Sequence, residues 1–162
     1  MNITLQTLAA LASDIGGQLK SRRETIAIAE SSSGGLISAA LLSIPGASAY
    51  YRGGGIIYTR DARRALLGLP EDLVNMRAAT EDYAAIVAKA IRIRLGATWG
   101  LCESGASGPS GNSYGDPAGH AAIALEGPVS SCTTLKTESN DREVNMWRFA
   151  EAALHLLGAS LP

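Results

Sequence analysis

Thr25-Ile26-Ala27-Ile28-Ala29 runs through Glu30-Ser31-Ser32-Ser33-Gly34-Gly35 into Leu36, Ile37, Ala40, Leu41 and Ile44. Five uncharged residues in a row suit a strand covered on both faces, because a half-exposed strand would alternate apolar with polar side chains. Three serines and two glycines then make a tight turn. The three- and four-residue spacing of the apolar residues that follow predicts a helix, which Pro45-Gly46 stops. A buried strand, a short polar loop and a helix in that order belong to a sheet with helices on its faces.

The pattern extends in both directions. Upstream, Leu5, Leu8, Leu11, Ala12, Ile15 and Leu19 predict an amphipathic helix ending at Arg22-Arg23. Downstream, Gly55-Ile56-Ile57-Tyr58 reads as a second strand and Asp61 to Leu67 as a helix closed by Gly68 and Pro70. Thr80 is the expected N-cap of another helix, with Glu81 and Asp82 in its first turn and Arg92 and Arg94 in its last. Trp99 to Glu103 reads as a buried strand, and Ser104 to Pro117 as a long loop of turn formers, a length that usually signals function. Ala118–Glu126 and Val129–Thr137, joined by Gly127-Pro128, predict a hairpin. A last helix turns Val144, Trp147, Ala150, Leu154 and Leu157 toward the sheet and ends at Gly158. The expected architecture is a single domain over 1–162, α/β in class: a three-layer α/β/α sandwich with a mixed, mostly parallel sheet and one antiparallel hairpin.

A chain of 162 residues buries about 70% of its unfolded surface, enough to fold without a disulfide or metal staple. Fourteen basic against 15 acidic side chains leave a net charge of −1, which excludes nucleic-acid binding driven by bulk charge. Arg, Glu or Gly interrupts every apolar stretch before it reaches membrane-span length, so no membrane partner is expected. Met1-Asn2-Ile3-Thr4 lacks the basic flank of a signal peptide. Cys102 and Cys132 sit in apolar runs without metal-site or redox spacing, and both read as reduced core residues of a cytoplasmic protein.

In such sheets ligands bind beyond the carboxyl ends of the strands, where helix N-termini present free N–H groups. Three segments qualify: Glu30–Gly35, Tyr58–Arg63 and Ser104–Asp116. In the first, a serine can attack a carbonyl, the hydroxyls and amides can hold an anion, or a serine can merely cap the helix. Gly105-Ala106-Ser107-Gly108 lacks the second spacer of the Gly-x-Ser-x-Gly nucleophile elbow, and no Gly-Lys-Ser/Thr closes a phosphate loop. His155 reads as an ordinary helix residue. His120, at a strand start after the long loop, is the more interesting histidine, although lone histidines there are mostly structural.

Ala29-Glu30-Ser31-Ser32-Ser33-Gly34-Gly35-Leu36, Pro45-Gly46-Ala47-Ser48-Ala49, Arg52-Gly53-Gly54, Tyr58-Thr59-Arg60-Asp61-Ala62-Arg63, Leu67-Gly68, Gly105-Ala106-Ser107-Gly108-Pro109 and Pro117-Ala118-Gly119 together resemble the CinA C-terminal family over nearly the whole chain. That family includes nicotinamide-nucleotide amidases, which convert nicotinamide mononucleotide to nicotinate mononucleotide and ammonia without a metal. The resemblance implies Ser31 as nucleophile, no cofactor and an oligomeric assembly. The family's Cys and Thr after that serine are Ser32 and Ser33 here. The lysine implied to activate the serine is Arg63, a guanidinium that donates but does not accept a proton. The family's loop-closing lysine is Asp116, and Asn140-Asp141-Arg142 matches its Gly-Asp-Arg, with Met146 where an arginine is usual one turn later.

The implied function is an amidohydrolase acting on a small molecule, a nucleotide or amide. Ser31 forms the acyl intermediate and amides of Ser33, Gly34 and Gly35, or of Gly105, Ala106, Ser107 and Gly108, hold the oxyanion. Tyr58 or His120 serves as substitute proton acceptor, and Arg63 and Arg142 bind negative charge. The alternative is a catalytically degenerate module that binds a nucleotide or small anion at the same loops. A third reading is a structural homo-oligomer joined through Tyr50-Tyr51 and Gly53-Gly54-Gly55.

Overall fold

The computed structural model describes residues 3–161. Its helices are α1 (Leu5–Arg22), α2 (Leu36–Leu42), α3 (Arg60–Leu67), α4 (Glu71–Val74), α5 (Glu81–Arg94) and α6 (Arg142–Ser160), and its strands are β1 (Ile26–Glu30), β2 (Tyr51–Ile56), β3 (Trp99–Ala106), β4 (His120–Glu126) and β5 (Ser131–Lys136). The sheet order is β2-β1-β3-β4-β5. β1 pairs parallel with β2 and β3, whereas β4 pairs antiparallel with β3 and β5. "Mostly parallel" therefore describes the strand directions and not the pairings, which divide equally. The antiparallel part is a three-strand meander in which the expected hairpin is only the outer half.

Strand parity separates the two cores. Ile26 and Ile28 of β1 and Trp99 and Leu101 of β3 join Leu8, Leu19, Leu41 and Leu154 under α1, α2 and α6. Ala27, Ala29 and Cys102 face the opposite way, against Tyr83, Val87 and Ile91 of α5. Small residues on the α5 side let that helix lie close: a Cβ at Gly100 would come 2.0 Å from the Ala88 carbonyl oxygen. The three-layer sandwich thus has a thick side and a thin side.

Several boundaries move. β3 continues three residues past Glu103, because Ser104, Gly105 and Ala106 pair with Ala122, Ala121 and His120. β2 begins at Tyr51 and stops at Ile56, short of Tyr58. α6 runs through Gly158 and buries Asn145, Phe149 and Ala153 beside Ala150, Leu154 and Leu157, while Val144 is exposed and Trp147 only half-buried. Cys102 is buried as expected. Cys132 is exposed on the edge strand β5, where it hydrogen-bonds Glu81. Among the described residues no helix is long and apolar enough to cross a membrane.

Candidate active site

Ser31 follows β1 directly at the strand-to-helix junction, where the chain turns into α2. Gly34 and Gly35 take φ of +66° and +102°, conformations that side chains strain, and a Cβ on Gly34 would come 2.8 Å from Met146 Cε. Met146 of α6 therefore lies against this loop.

Two buried carboxylates, Glu30 and Glu103, organise the turn. Glu30, 1% exposed, accepts from Ser33 Oγ (2.8 Å), from the amides of Gly35 (2.9 Å), Ile37 (3.1 Å) and Ser38 (2.8 Å), and from Ser38 Oγ (2.6 Å). It caps α2 from inside the protein, and the half-positive helix end stabilises it there. Glu103, fully buried, accepts from the amides of Ser31 (3.1 Å) and Ser33 (2.8 Å) and from Ser32 Oγ (2.5 Å). Burial pushes the Glu103 carboxyl up, and the hydrogen bonds from Ser32, Ser33 and Ser31 offset that only in part. The Ser33 and Gly35 amides, expected to hold an oxyanion, instead point at the internal carboxylates Glu103 and Glu30. Ser32 and Ser33 are buried and fully engaged, whereas Ser31 is half-exposed and its hydroxyl has no hydrogen-bond partner among the described residues.

Arg63, where the resemblance implies an activating lysine, is engaged by groups other than Ser31. Its guanidinium donates to the carbonyls of Val74 (2.7 Å) and Met76 (3.1 Å) and stacks 4.6 Å from the Tyr83 ring, within the thin-side core; Nε is buried without a partner. No hydrogen bond or ion pair joins it to Ser31 among the described residues. Arg63 also acts on Tyr114, which the sequence did not single out. Burial pushes that phenol up, but hydrogen bonds and charges from Arg60 and Arg63 outweigh it and hold the group below the usual tyrosine value.

Other expected residues do meet. Arg142 donates to the Gly108 carbonyl (2.6 Å) and to the exposed Tyr58 hydroxyl (3.1 Å), so α6, the long loop and the end of β2 converge. Asn145, buried and unremarked in the sequence, donates to the carbonyls of Ser107 and Ser139, both at 2.8 Å. Gly105 and Ala106 are ladder residues and not a free amide cradle: a Cβ at Gly105 would come 2.5 Å from the His120 carbonyl. His120 Nε2 sits 2.8 Å from the Ala79 carbonyl and so donates there. Asp116 is a structural residue, 11% exposed at its side chain, bound by Arg77 (2.7 Å) and Asn112 (2.8 Å); its loop position does not make it free to change. An open groove of about 450 Å³ lies elsewhere, between Ile3–Leu5 and the start of α6.

A family model described as the CinA C-terminal domain matches residues 8–161. A CinA-like protein from Trichormus variabilis is 39% identical over 128 residues, 78% of this chain and 31% of that protein. Among solved structures, the competence/damage inducible protein CihA from Agrobacterium tumefaciens is 28% identical with a TM-score of 0.86, covering 94% of both chains. Competence damage-inducible protein A from Klebsiella pneumoniae is 25% identical with a TM-score of 0.88, covering 95% of this chain and 96% of that one. The chain spans about a third of the length of the curated relatives it matches.

Proposed function

The chain belongs to the CinA C-terminal domain family, and from that premise we propose that it is a carbon–nitrogen hydrolase of the nicotinamide-nucleotide amidase type, with Ser31 as nucleophile. The observation that carries this reading is the contrast within the serine triplet: Ser32 and Ser33 spend their hydroxyls on Glu103 and Glu30, and Ser31 alone keeps an unengaged, accessible one. Ser31 Oγ attacks the carboxamide carbon, the C–N bond breaks with ammonia leaving, and water hydrolyses the acyl ester to the carboxylate. The serine proton needs an acceptor on its way to the ammonia. Arg63 cannot supply one; Tyr58, exposed beside Arg142, takes that role, with His120 Nδ1 as the alternative, since its Nε2–H is given to Ala79.

Ammonia release from nicotinamide mononucleotide, measured beside a panel of other amides, tests the reading. Loss of a dedicated base typically costs ~10²–10⁴-fold, so turnover should be slow next to a relative that has the lysine, and Ser31→Ala should abolish it. Turnover that persists in Ser31→Ala refutes the assignment. The second reading, a binding module for a nucleotide or small anion, is favoured by the anchoring of Arg63 to the Val74 and Met76 carbonyls, and saturable nucleotide binding without turnover would select it.

A further inference from the structure

A strand-to-helix turn of this kind ordinarily offers its amides to an anion. Here the amides of Ser31, Ser33, Gly35, Ile37 and Ser38 all point inward at Glu103 or Glu30. Neither carboxylate has a salt bridge among the described residues, and no cation figures among the groups acting on Glu103. Glu30 is balanced in part by the end of α2. Glu103 has only neutral dipoles around it, one of them the backbone N–H of Ser31 itself.

We propose that Glu103, seconded by Glu30, sets the charge selectivity of the Ser31 subsite, so that the ring carrying the scissile carboxamide is bound as a cation and any phosphate is held outside that subsite. This rests on the amidase reading and adds to it a specificity residue. Glu103 accepts from the Ser31 amide itself, and once ionised its buried charge is weakly screened, whereas charges in the surrounding water are damped. It favours a pyridinium-type ring over a neutral ring of the same shape and disfavours an anion at the same place.

The experiment uses the Ser31→Ala protein, which cannot turn substrate over, at mildly alkaline pH, with two matched pairs: nicotinamide mononucleotide against a benzamide C-nucleotide, and 1-methylnicotinamide against 3-methylbenzamide. Each pair differs in ring charge and hardly in shape. The cationic member should bind about tenfold more tightly in each pair. Adding Glu103→Gln, which keeps an acceptor for both amides and a donor for Ser32, should cut that preference to near unity. Equal binding of the two members, or a preference that survives Glu103→Gln, overturns the proposal. Were the small pair to show the preference while the native protein leaves the nucleotide intact, the amidase reading would fall and the charge selectivity would stand. Binding of neither pair refutes both.

Discussion

Glu103 and Arg63 are two buried ionic side chains at the carboxyl end of one sheet, and they are satisfied in opposite ways. Glu103 lies on the side of α2 and α6, and backbone and hydroxyl donors from three consecutive residues converge on its two oxygens. Arg63 lies on the α5 side, held by two carbonyls and a ring face, with Nε left over. The first arrangement dictates the shape of a loop. The second braces the α3–α5 region and lends its spare charge to Tyr114. At the position where the resemblance implies an activating lysine, this chain carries a side chain whose contacts are those of a brace.

The largest effect expected from this contrast belongs to Glu103→Leu, which strands two amides and a hydroxyl in the interior. A loss of about 3–5 kcal/mol in denaturant unfolding is expected, against a much smaller loss for Glu103→Gln. Near-equal midpoints for the two variants would show that the loop does not depend on that acceptor. Arg63→Lys comes next, at about 1–3 kcal/mol, because a single ammonium cannot reproduce both carbonyl contacts and the stacked plane. If the variant instead melts with the wild type and gains amidase activity, Arg63 is a failed base and not a brace.

The smallest effect is a slope. The folded-state pKa of Glu103 lies above its unfolded value, so its contribution to stability is fullest below the ordinary glutamate range and declines as pH rises through the folded value. Wild-type stability measured relative to Glu103→Gln should fall over that interval. A pH-independent difference would mean that the carboxyl titrates as it does in the unfolded chain.

What the sequence made legible follows from physics that acts over short range. The strand–loop–helix unit around Ser31 was readable because an apolar run, paired glycines and helical spacing lie within twenty residues of one another. Glu103 was not readable as an organiser, since its donors lie 70 to 72 residues away and a glutamate closing a strand looks like any strand end. Asn145 hid for the same reason, in a helix whose spacing reads as a buried face of Val144, Trp147, Ala150, Leu154 and Leu157; the last three are buried, and Asn145, Phe149 and Ala153 join them in place of Val144 and Trp147. The anchoring of Arg63 is equally hard to read, because the carbonyls of Val74 and Met76 that engage it come from a turn with no pattern of its own.

The clamp made by α6 has a consequence for the order of events at the ribosome. Arg142 and Asn145 fasten the Ser107–Gly108 turn, and Met146 covers Gly34, yet all three are synthesised more than thirty residues after the turn and more than a hundred after the serine loop. An emerging chain can pair β1 with β2 and β3 and seat Glu30 in its helix end while the far side of the site still hangs open. These contacts form only as that helix docks. That side of the loop is thus a late product of translation, and a nascent chain stalled before Arg142 carries Ser31 without the contacts that Arg142, Asn145 and Met146 bring to it.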